Sequence, residues 1–198
     1  MSNLRSVWRS VFLAIAVLLL ILICACNSND RVSNSNAPVI SNPPQTALPM
    51  PPVDGKSIDS MGWVLADGKH TAFGEFKGKV LILDFYATWC GPCRDSIPHL
   101  VGLQQRYPDE VRVIGLNVGG EDDLERVPAF AQRFNIQYPL AEPDEELIEL
   151  LLADSQAIPQ TFVFDRHGML MKRFIGFGYD TGAKIDQAVE SALQSSAD

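Results

Sequence analysis

Residues that bind metals or nucleic acids are scarce in this chain. It has four cysteines and three histidines, the histidines are scattered, and only Cys90 and Cys93 form a paired motif. A structural zinc site needs four ligands, so we expect neither a metal site nor a cofactor. The net charge is −8 and no basic cluster occurs, whereas a nucleic-acid-binding protein presents a basic face. We therefore expect no nucleic-acid partner.

Residues 1–26 have the pattern of a secretory signal or a membrane anchor. A short basic start with Arg5 and Arg9 precedes an unbroken apolar run from Val11 to Cys26. A membrane-spanning helix usually needs about 20 apolar residues, and this run is shorter, which favours the apolar core of a signal peptide. No A-x-A cleavage site follows it, which argues against a plain secreted product.

The end of the run, Cys24-Ala25-Cys26, resembles a bacterial lipoprotein signal. On this interpretation Cys26 carries the lipid and becomes the first residue of the mature chain. The alternative is an uncleaved membrane anchor. Both place the rest of the chain on the extracytoplasmic side of a bacterial membrane, attached through its N-terminus.

Residues 27–52 are rich in Asn, Ser and Pro and contain no aromatic residue. Such a segment cannot bury enough apolar surface to fold, and its proline-rich end is expected to be extended. We predict a disordered linker that holds a domain away from a bilayer.

Residues 53–198 carry the patterns of one α/β domain, a central mixed sheet flanked by helices. The predicted strands form an N-terminal hairpin (Gly62–Ala66 with Thr71–Phe76), two buried central strands (Val80–Tyr86 and Val111–Val118) and a late hairpin (Thr161–Asp165 with Leu170–Ile175). The predicted helices span Cys93–Tyr107, Leu124–Phe134, a segment that opens at Pro143, and about Thr181–Leu193.

The sequence Trp89-Cys90-Gly91-Pro92-Cys93 lies where a buried strand meets a helix. A thiolate is the species that attacks a disulfide, and the N-terminus of a helix stabilises negative charge. We therefore expect an exposed, nucleophilic Cys90 whose thiol has a lowered pKa. Cys93, about one turn further on, can attack the mixed disulfide and resolve it. A purely structural disulfide is the alternative, but so short a loop adds little stability.

Asp84 interrupts the apolar strand six residues before Cys90. A buried carboxyl without partners is costly, and burial raises its pKa. We predict that Asp84 takes the proton from Cys93 when that thiol attacks, as a general base. A hydrogen-bonded structural aspartate is the alternative.

These residues resemble the thioredoxin superfamily, and within it the membrane-tethered TlpA/ResA-like proteins, over about residues 58–195. The resemblance rests on four segments: Phe76-Lys77-Gly78-Lys79, Ala87 through Arg94 with the WCGPC core, Asn117-Val118-Gly119, and Ile158 through Asp165 followed by Gly168. The fold it implies is a thioredoxin fold with a TlpA/ResA-like helical insertion between Gly120 and Ala153.

The resemblance also implies a function and a set of substrate contacts. Pro159 corresponds to a cis-proline that faces the sulfurs, and Ile158 to a residue lining the substrate groove. The expected contacts on the other side come from Trp89, Gly91 and Pro92. The implied activity is reduction of protein disulfides such as those of apocytochrome c, with electrons from a membrane thiol-transfer protein of the DsbD/CcdA kind.

Two residues differ from the pattern of this group. Ser96 stands where many members carry Glu, and Asp84 stands where many carry Asn. The redox chemistry is unaffected, but a broader reductase becomes an alternative to a role in cytochrome c maturation.

Three other functions share the fold or the motif. An oxidant or isomerase would use the same pair in the other direction. A peroxidase of the AhpC/TSA type needs a P-x-x-x-[ST]-x-x-C setting, which Cys90 lacks. A copper-binding module of the Sco type uses C-x-x-x-C, one residue longer than the spacing found here.

Overall fold

The structure of the protein is a computed structural model that describes residues 57–195. The candidate signal, the linker and the candidate lipidation residue Cys26 lie outside the described residues. Within residues 57–195, none of the helices has the length and apolar character that a membrane span requires.

Seven strands form one mixed sheet. In chain order they are β1 (Gly62–Leu65), β2 (His70–Ala72), β3 (Val80–Tyr86), β4 (Val111–Asn117), β5 (Leu140–Pro143), β6 (Gln160–Phe164) and β7 (Leu170–Ile175). Their order across the sheet is β2-β1-β5-β4-β3-β6-β7. The β3–β4 and β4–β5 pairs are parallel, and the other four pairs are antiparallel.

The helices cover both faces of the sheet. In chain order they are α1 (Gly91–Arg106), α2 (Glu121–Leu124), α3 (Val127–Arg133), α4 (Glu145–Leu151) and α5 (Thr181–Gln194). One core cluster contains α4 residues together with Trp63 and Phe73. A second lies under α1 and α5, around Leu100 and Val189. The α/β thioredoxin-type architecture predicted from the sequence is confirmed.

The central strands are where the longest apolar runs predicted them. All seven residues of β3 are buried, and β4 is buried apart from partly exposed Arg112. Helices pack on both faces of these strands, so neither strand needs a polar face. This is why their sequences do not alternate, and why a single acid in β3 is conspicuous.

Two predicted elements are divided in the structure. The predicted second strand Thr71–Phe76 was too long, because β2 ends at Ala72 and Phe73–Phe76 is a 3-10 turn. In that turn the Glu75 carboxylate accepts a hydrogen bond from the Ala72 backbone N–H, at 2.9 Å. Of the predicted helix Leu124–Phe134, only Val127–Arg133 forms one helix, α3; Leu124 ends the separate helix α2, and Glu125 and Arg126 lie between the two.

The prediction that Pro143 opens a helix was wrong. Pro143 ends β5 and pairs with Trp63 of β1, while Asp144 is the N-cap of α4. The Asp144 carboxylate accepts hydrogen bonds from the Gly62 backbone N–H, at 2.7 Å, and from His70. It therefore ties the N-terminal hairpin to α4.

Candidate active site

The cysteine pair lies at the junction between β3 and α1. Strand β3 ends at Tyr86, and four residues later Cys90 is the N-cap of α1 with extended backbone angles. Pro92 lies in the first turn, where its missing N–H costs no hydrogen bond. Cys90 and Cys93 are joined by a disulfide with their Cα atoms 5.3 Å apart.

The helix start supplies a hydrogen bond to the first sulfur. The Cys93 backbone N–H donates to Cys90 Sγ at 3.2 Å. The first N–H groups of a helix have no intrahelical partner and carry partial positive charge. In the reduced protein the same N–H would favour a thiolate on Cys90.

The predicted exposure of Cys90 was wrong for the disulfide form. Cys90 is 5% exposed and Cys93 is fully buried. Both belong to a small apolar cluster with Tyr86, Ile97 and Phe130, which covers the sulfurs. Cys90 is still the more exposed residue of the two.

The neighbouring residues form one edge of a groove. Trp89 is 59% exposed, although large apolar side chains are mostly buried in this domain. Trp89 and Ile158 both line a groove of about 370 Å³ that extends to Glu142 and to Leu152 after α4. Ile158 also packs against the cluster that contains the cysteines.

The remaining predicted contacts lie at the same end of the sheet. Gly91 is partly exposed and Pro92 is exposed. The Ile158–Pro159 peptide bond is cis, as the resemblance implies. Pro159 is buried, and its carbonyl accepts a hydrogen bond from the Gly176 N–H at 2.7 Å. The loops that follow α4 and β7 are thereby held together beside Ile158.

Asp84 lies in the interior, 1% exposed. It shares a strand face with Ile82 and Tyr86, and these residues pack against α1 through the clusters that contain Leu100 and Cys93. Burial raises the pKa of Asp84 to about 7, although a hydrogen bond from the Thr161 hydroxyl, at 2.8 Å, opposes the rise. A carboxyl with this pKa can accept and release a proton near neutral pH.

No acid stands at the position of Ser96. Ser96 is fully buried, and its hydroxyl donates to the Cys93 carbonyl at 2.9 Å. This helix residue therefore provides no proton acceptor. Around the cysteine pair, Asp84 is the buried carboxyl on the strand face under α1.

Sequence reasoning missed a second buried acid, Asp123. Its carboxylate accepts hydrogen bonds from the Thr88 N–H, at 2.9 Å, from the Thr88 hydroxyl, and from the Asn117 amide, at 2.8 Å. Burial raises the pKa of Asp123, but these hydrogen bonds lower it more, so the pKa lies below its ordinary value. In the sequence this acid is hidden in the acidic run Glu121-Asp122-Asp123.

These features define the class to which the protein belongs. A two-residue disulfide loop at the start of α1, after the central strand of a thioredoxin fold, is the arrangement of thiol:disulfide oxidoreductases. Among residues 57–195, no group of three or more His, Cys, Asp or Glu side chains could hold a metal ion.

Comparison with known proteins gives the family. Residues 55–173 match the AhpC/TSA family, and the chain belongs to it. It is 32% identical over 132 residues to the thiol-disulfide oxidoreductase ResA of Geobacillus thermodenitrificans, covering 65% of this chain and 73% of that protein. It is 29% identical over 126 residues to the thioredoxin-like protein YneN of Bacillus subtilis, covering 62% and 72%.

A solved structure shares the fold. A thiol:disulfide interchange protein of the thioredoxin family from Chlorobium tepidum has a TM-score of 0.60 and 29% identity, with 74% of this chain and 97% of that chain covered. These relatives confirm the TlpA/ResA-like resemblance inferred from the motifs.

Asp84→Asn should stabilise the oxidised protein, and the gain should grow with pH. The folded chain keeps the Asp84 proton up to about pH 7, whereas an unfolded aspartate releases it near 3.8. Between these values the unfolded state binds fewer protons, so wild-type stability falls as pH rises and levels off above about 7. Asparagine does not titrate. The difference in free energy of unfolding between Asp84→Asn and wild type should therefore be larger at pH 8 than at pH 4, by on the order of 4 kcal/mol at most. Urea unfolding of the full chain, disulfide intact, measures it.

The matched control is Asp122→Asn, which removes an exposed acid from α2. Its stability relative to wild type should change little between the two pH values. A difference between Asp84→Asn and wild type that stays constant from pH 4 to pH 8 would contradict the raised pKa.

Proposed function

We propose that this protein is a membrane-tethered, extracytoplasmic reductase of protein disulfides that works through Cys90 and Cys93. The observation that carries the proposal is the position of Cys90. It caps α1, accepts the Cys93 N–H, and lies beside the exposed Trp89 and the groove that Ile158 lines. This arrangement favours a thiolate on Cys90, the more exposed cysteine of the pair.

The reaction balances as two successive thiol–disulfide exchanges. The Cys90 thiolate attacks one sulfur of a substrate disulfide, and the other substrate sulfur leaves as a thiolate and takes a proton. Cys93 then loses its proton and its thiolate attacks Cys90 Sγ, which breaks the mixed disulfide and releases the second substrate sulfur as a thiolate that also takes a proton. The substrate gains two electrons and two protons, and the enzyme ends with the Cys90–Cys93 disulfide found in the structure.

Asp84 accepts the proton that Cys93 loses. The proposal is supported by its burial on the strand face that α1 covers and by a pKa of about 7. If this role is right, Asp84→Asn slows the second exchange and not the first, most strongly above pH 7, where wild-type Asp84 is ionised. Equal rates in the two proteins across pH would remove the role.

The direction of the reaction is proposed from the motif. Gly91-Pro92 between the cysteines resembles reducing thioredoxins. The same two exchanges run backwards in an oxidant or isomerase, and only the reduction potential separates these functions. A reductase needs an electron source, for which we propose a membrane thiol-transfer protein of the DsbD/CcdA kind.

The substrates we propose are cysteine-containing proteins outside the cytoplasm. Apocytochrome c is one candidate, because the ResA resemblance includes it. Ser96 in place of the Glu common in that group favours a broader range of substrates.

Membership of the AhpC/TSA family does not by itself favour a peroxidase. Such enzymes place Pro seven residues and Ser or Thr three residues before the attacking cysteine. Here Leu83 and Ala87 occupy those positions, so a dithiol exchange accounts better for the site.

For the location, we propose that Cys26 carries a lipid anchor. The apolar run before it and the Ala25-Cys26 pair support this. Fractionation of cells that express the full chain tests it. Wild type should incorporate labelled palmitate and Cys26→Ser should not. A wild-type chain that is found in the membrane fraction without the label would instead indicate the uncleaved anchor.

The test of the mechanism uses single cysteine variants of the full chain in detergent. Insulin serves as the disulfide substrate. Cys90→Ser should lower insulin reduction to the background rate, because the attacking sulfur is lost. Cys93→Ser should instead accumulate a mixed disulfide between Cys90 and insulin, since nothing resolves it, and this species is visible on a non-reducing gel.

Asp122→Asn is the control, because it changes an exposed residue of α2 and leaves both cysteines in place. Its rate of insulin reduction should equal that of the wild type. Insulin reduction that survives Cys90→Ser would exclude the proposed mechanism.

A further inference from the structure

The proposed reaction gives no role to the buried aspartates Asp123 and Asp165, and these two differ in what they bind. Asp165 accepts hydrogen bonds from the backbone N–H groups of His167 and Met169, which belong to its own turn. Asp123 binds Thr88, 35 residues away in the chain and two residues before Cys90. Its hydrogen bonds therefore act on the active-site loop rather than on its own turn.

The contact with Thr88 is a double one. One carboxylate oxygen accepts the backbone N–H at 2.9 Å, and the other accepts the hydroxyl. Two bonds to one residue fix both its backbone and its side chain. Hydrogen bonds to an ionised group are stronger than neutral ones, and Asp123 is 2% exposed, so water competes little for them.

The carboxylate itself is held in place by the segment after β4. The Asn117 side-chain Nδ2 donates to it at 2.8 Å, and the Asn117 side-chain Oδ1 accepts the Gly119 N–H at 2.9 Å. A Cβ on Gly119 would lie 2.3 Å from an Asp123 oxygen. Only glycine leaves room for the side chain, which accounts for Gly119 in the motif, as the hydrogen bonds account for Asn117.

The other side of the loop is held by Arg94 on α1. Its guanidinium donates to the carbonyls of Trp89 and Cys90, each at 3.4 Å. These are long hydrogen bonds, weaker than those at Thr88. The hydrogen bonds from Thr88 to Asp123 therefore fix the loop before Cys90 more firmly than those from Arg94 do.

We propose that Asp123 is a positioning residue of the redox reaction, which holds Cys90 at the start of α1 through its hydrogen bonds to Thr88. The inference rests on the proposed function, because it concerns the reactivity of the same cysteine. When the hydrogen bonds between Asp123 and Thr88 are lost, Cys90 moves away from the Cys93 N–H for part of the time. The Cys90 thiolate then lacks the hydrogen bond that this N–H donates.

Two variants of the reduced full chain test this. Thr88→Val removes the hydroxyl bond without changing charge, and Asp123→Asn removes the charge and weakens all three bonds. Both should move the pH midpoint of Cys90 alkylation by iodoacetamide upward and slow insulin reduction by about tenfold through kcat. The double variant should be no slower than Asp123→Asn, because both changes break the same contact.

The sign of the shift separates positioning from a charge effect. If the Asp123 carboxylate acted only through its charge, its removal would stabilise the Cys90 thiolate and move the midpoint downward. A downward shift or an unchanged midpoint would overturn the proposal. Asp122→Asn, which removes an exposed neighbouring charge, should leave both the midpoint and the rate at wild-type values. If Asp123→Asn does not fold, Thr88→Val decides the question alone.

Failure of this inference is distinct from failure of the proposed function. A wild-type chain that neither reduces insulin nor shows a titrating Cys90 would contradict the proposed function. A reactive wild type with unchanged Thr88→Val and Asp123→Asn variants would contradict the positioning role alone.

Discussion

The site depends on the hydrogen-bonding groups that the first turn of α1 leaves without helical partners. Every helix begins with such N–H groups, which must be satisfied by a cap, by water or by a ligand. Here the cap is a sulfur, Cys90 Sγ, in place of the usual hydroxyl or carboxylate. The free N–H groups of the first turn therefore make their strongest hydrogen bond when Cys90 is a thiolate. The buried strand β3 ends just before this turn, and the groove that Trp89 lines lies beside it.

Two buried aspartates near this turn differ because they have different partners. Asp84 accepts one hydrogen bond, from Thr161, and burial raises its pKa to about 7. Asp123 accepts three, and its pKa lies below its ordinary value although it is equally buried by accessible area. Deep burial with one donor leaves Asp84 able to exchange a proton, whereas three donors and the nearby Arg126 keep Asp123 ionised. One acid is suited to proton transfer, and the other to holding a loop.

The sequence predicts the parts of this site that are local in the chain. A strand buried on both faces, a CxxC motif at a helix start and one acid within an apolar run all appear within fourteen residues, from Val80 to Cys93. The strand Leu140–Pro143 was missed because it is short and is flanked by prolines, which favour turns and helix starts. Asp123 was missed because its function depends on a contact with Thr88 that only the fold creates, and the neighbouring acids conceal it. The cis bond before Pro159 was expected from family resemblance alone, since composition carries no signal for it.

The reduction potential of the Cys90–Cys93 couple tests the central claim most directly. The full chain, in detergent, would be equilibrated with glutathione or dithiothreitol buffers of graded potential, and the fraction of free thiols measured. A reductase account predicts a value near that of thioredoxin, about −270 mV. A value near about −120 mV, as in strong oxidants, would mean that the protein makes disulfides, and the proposed direction would be wrong.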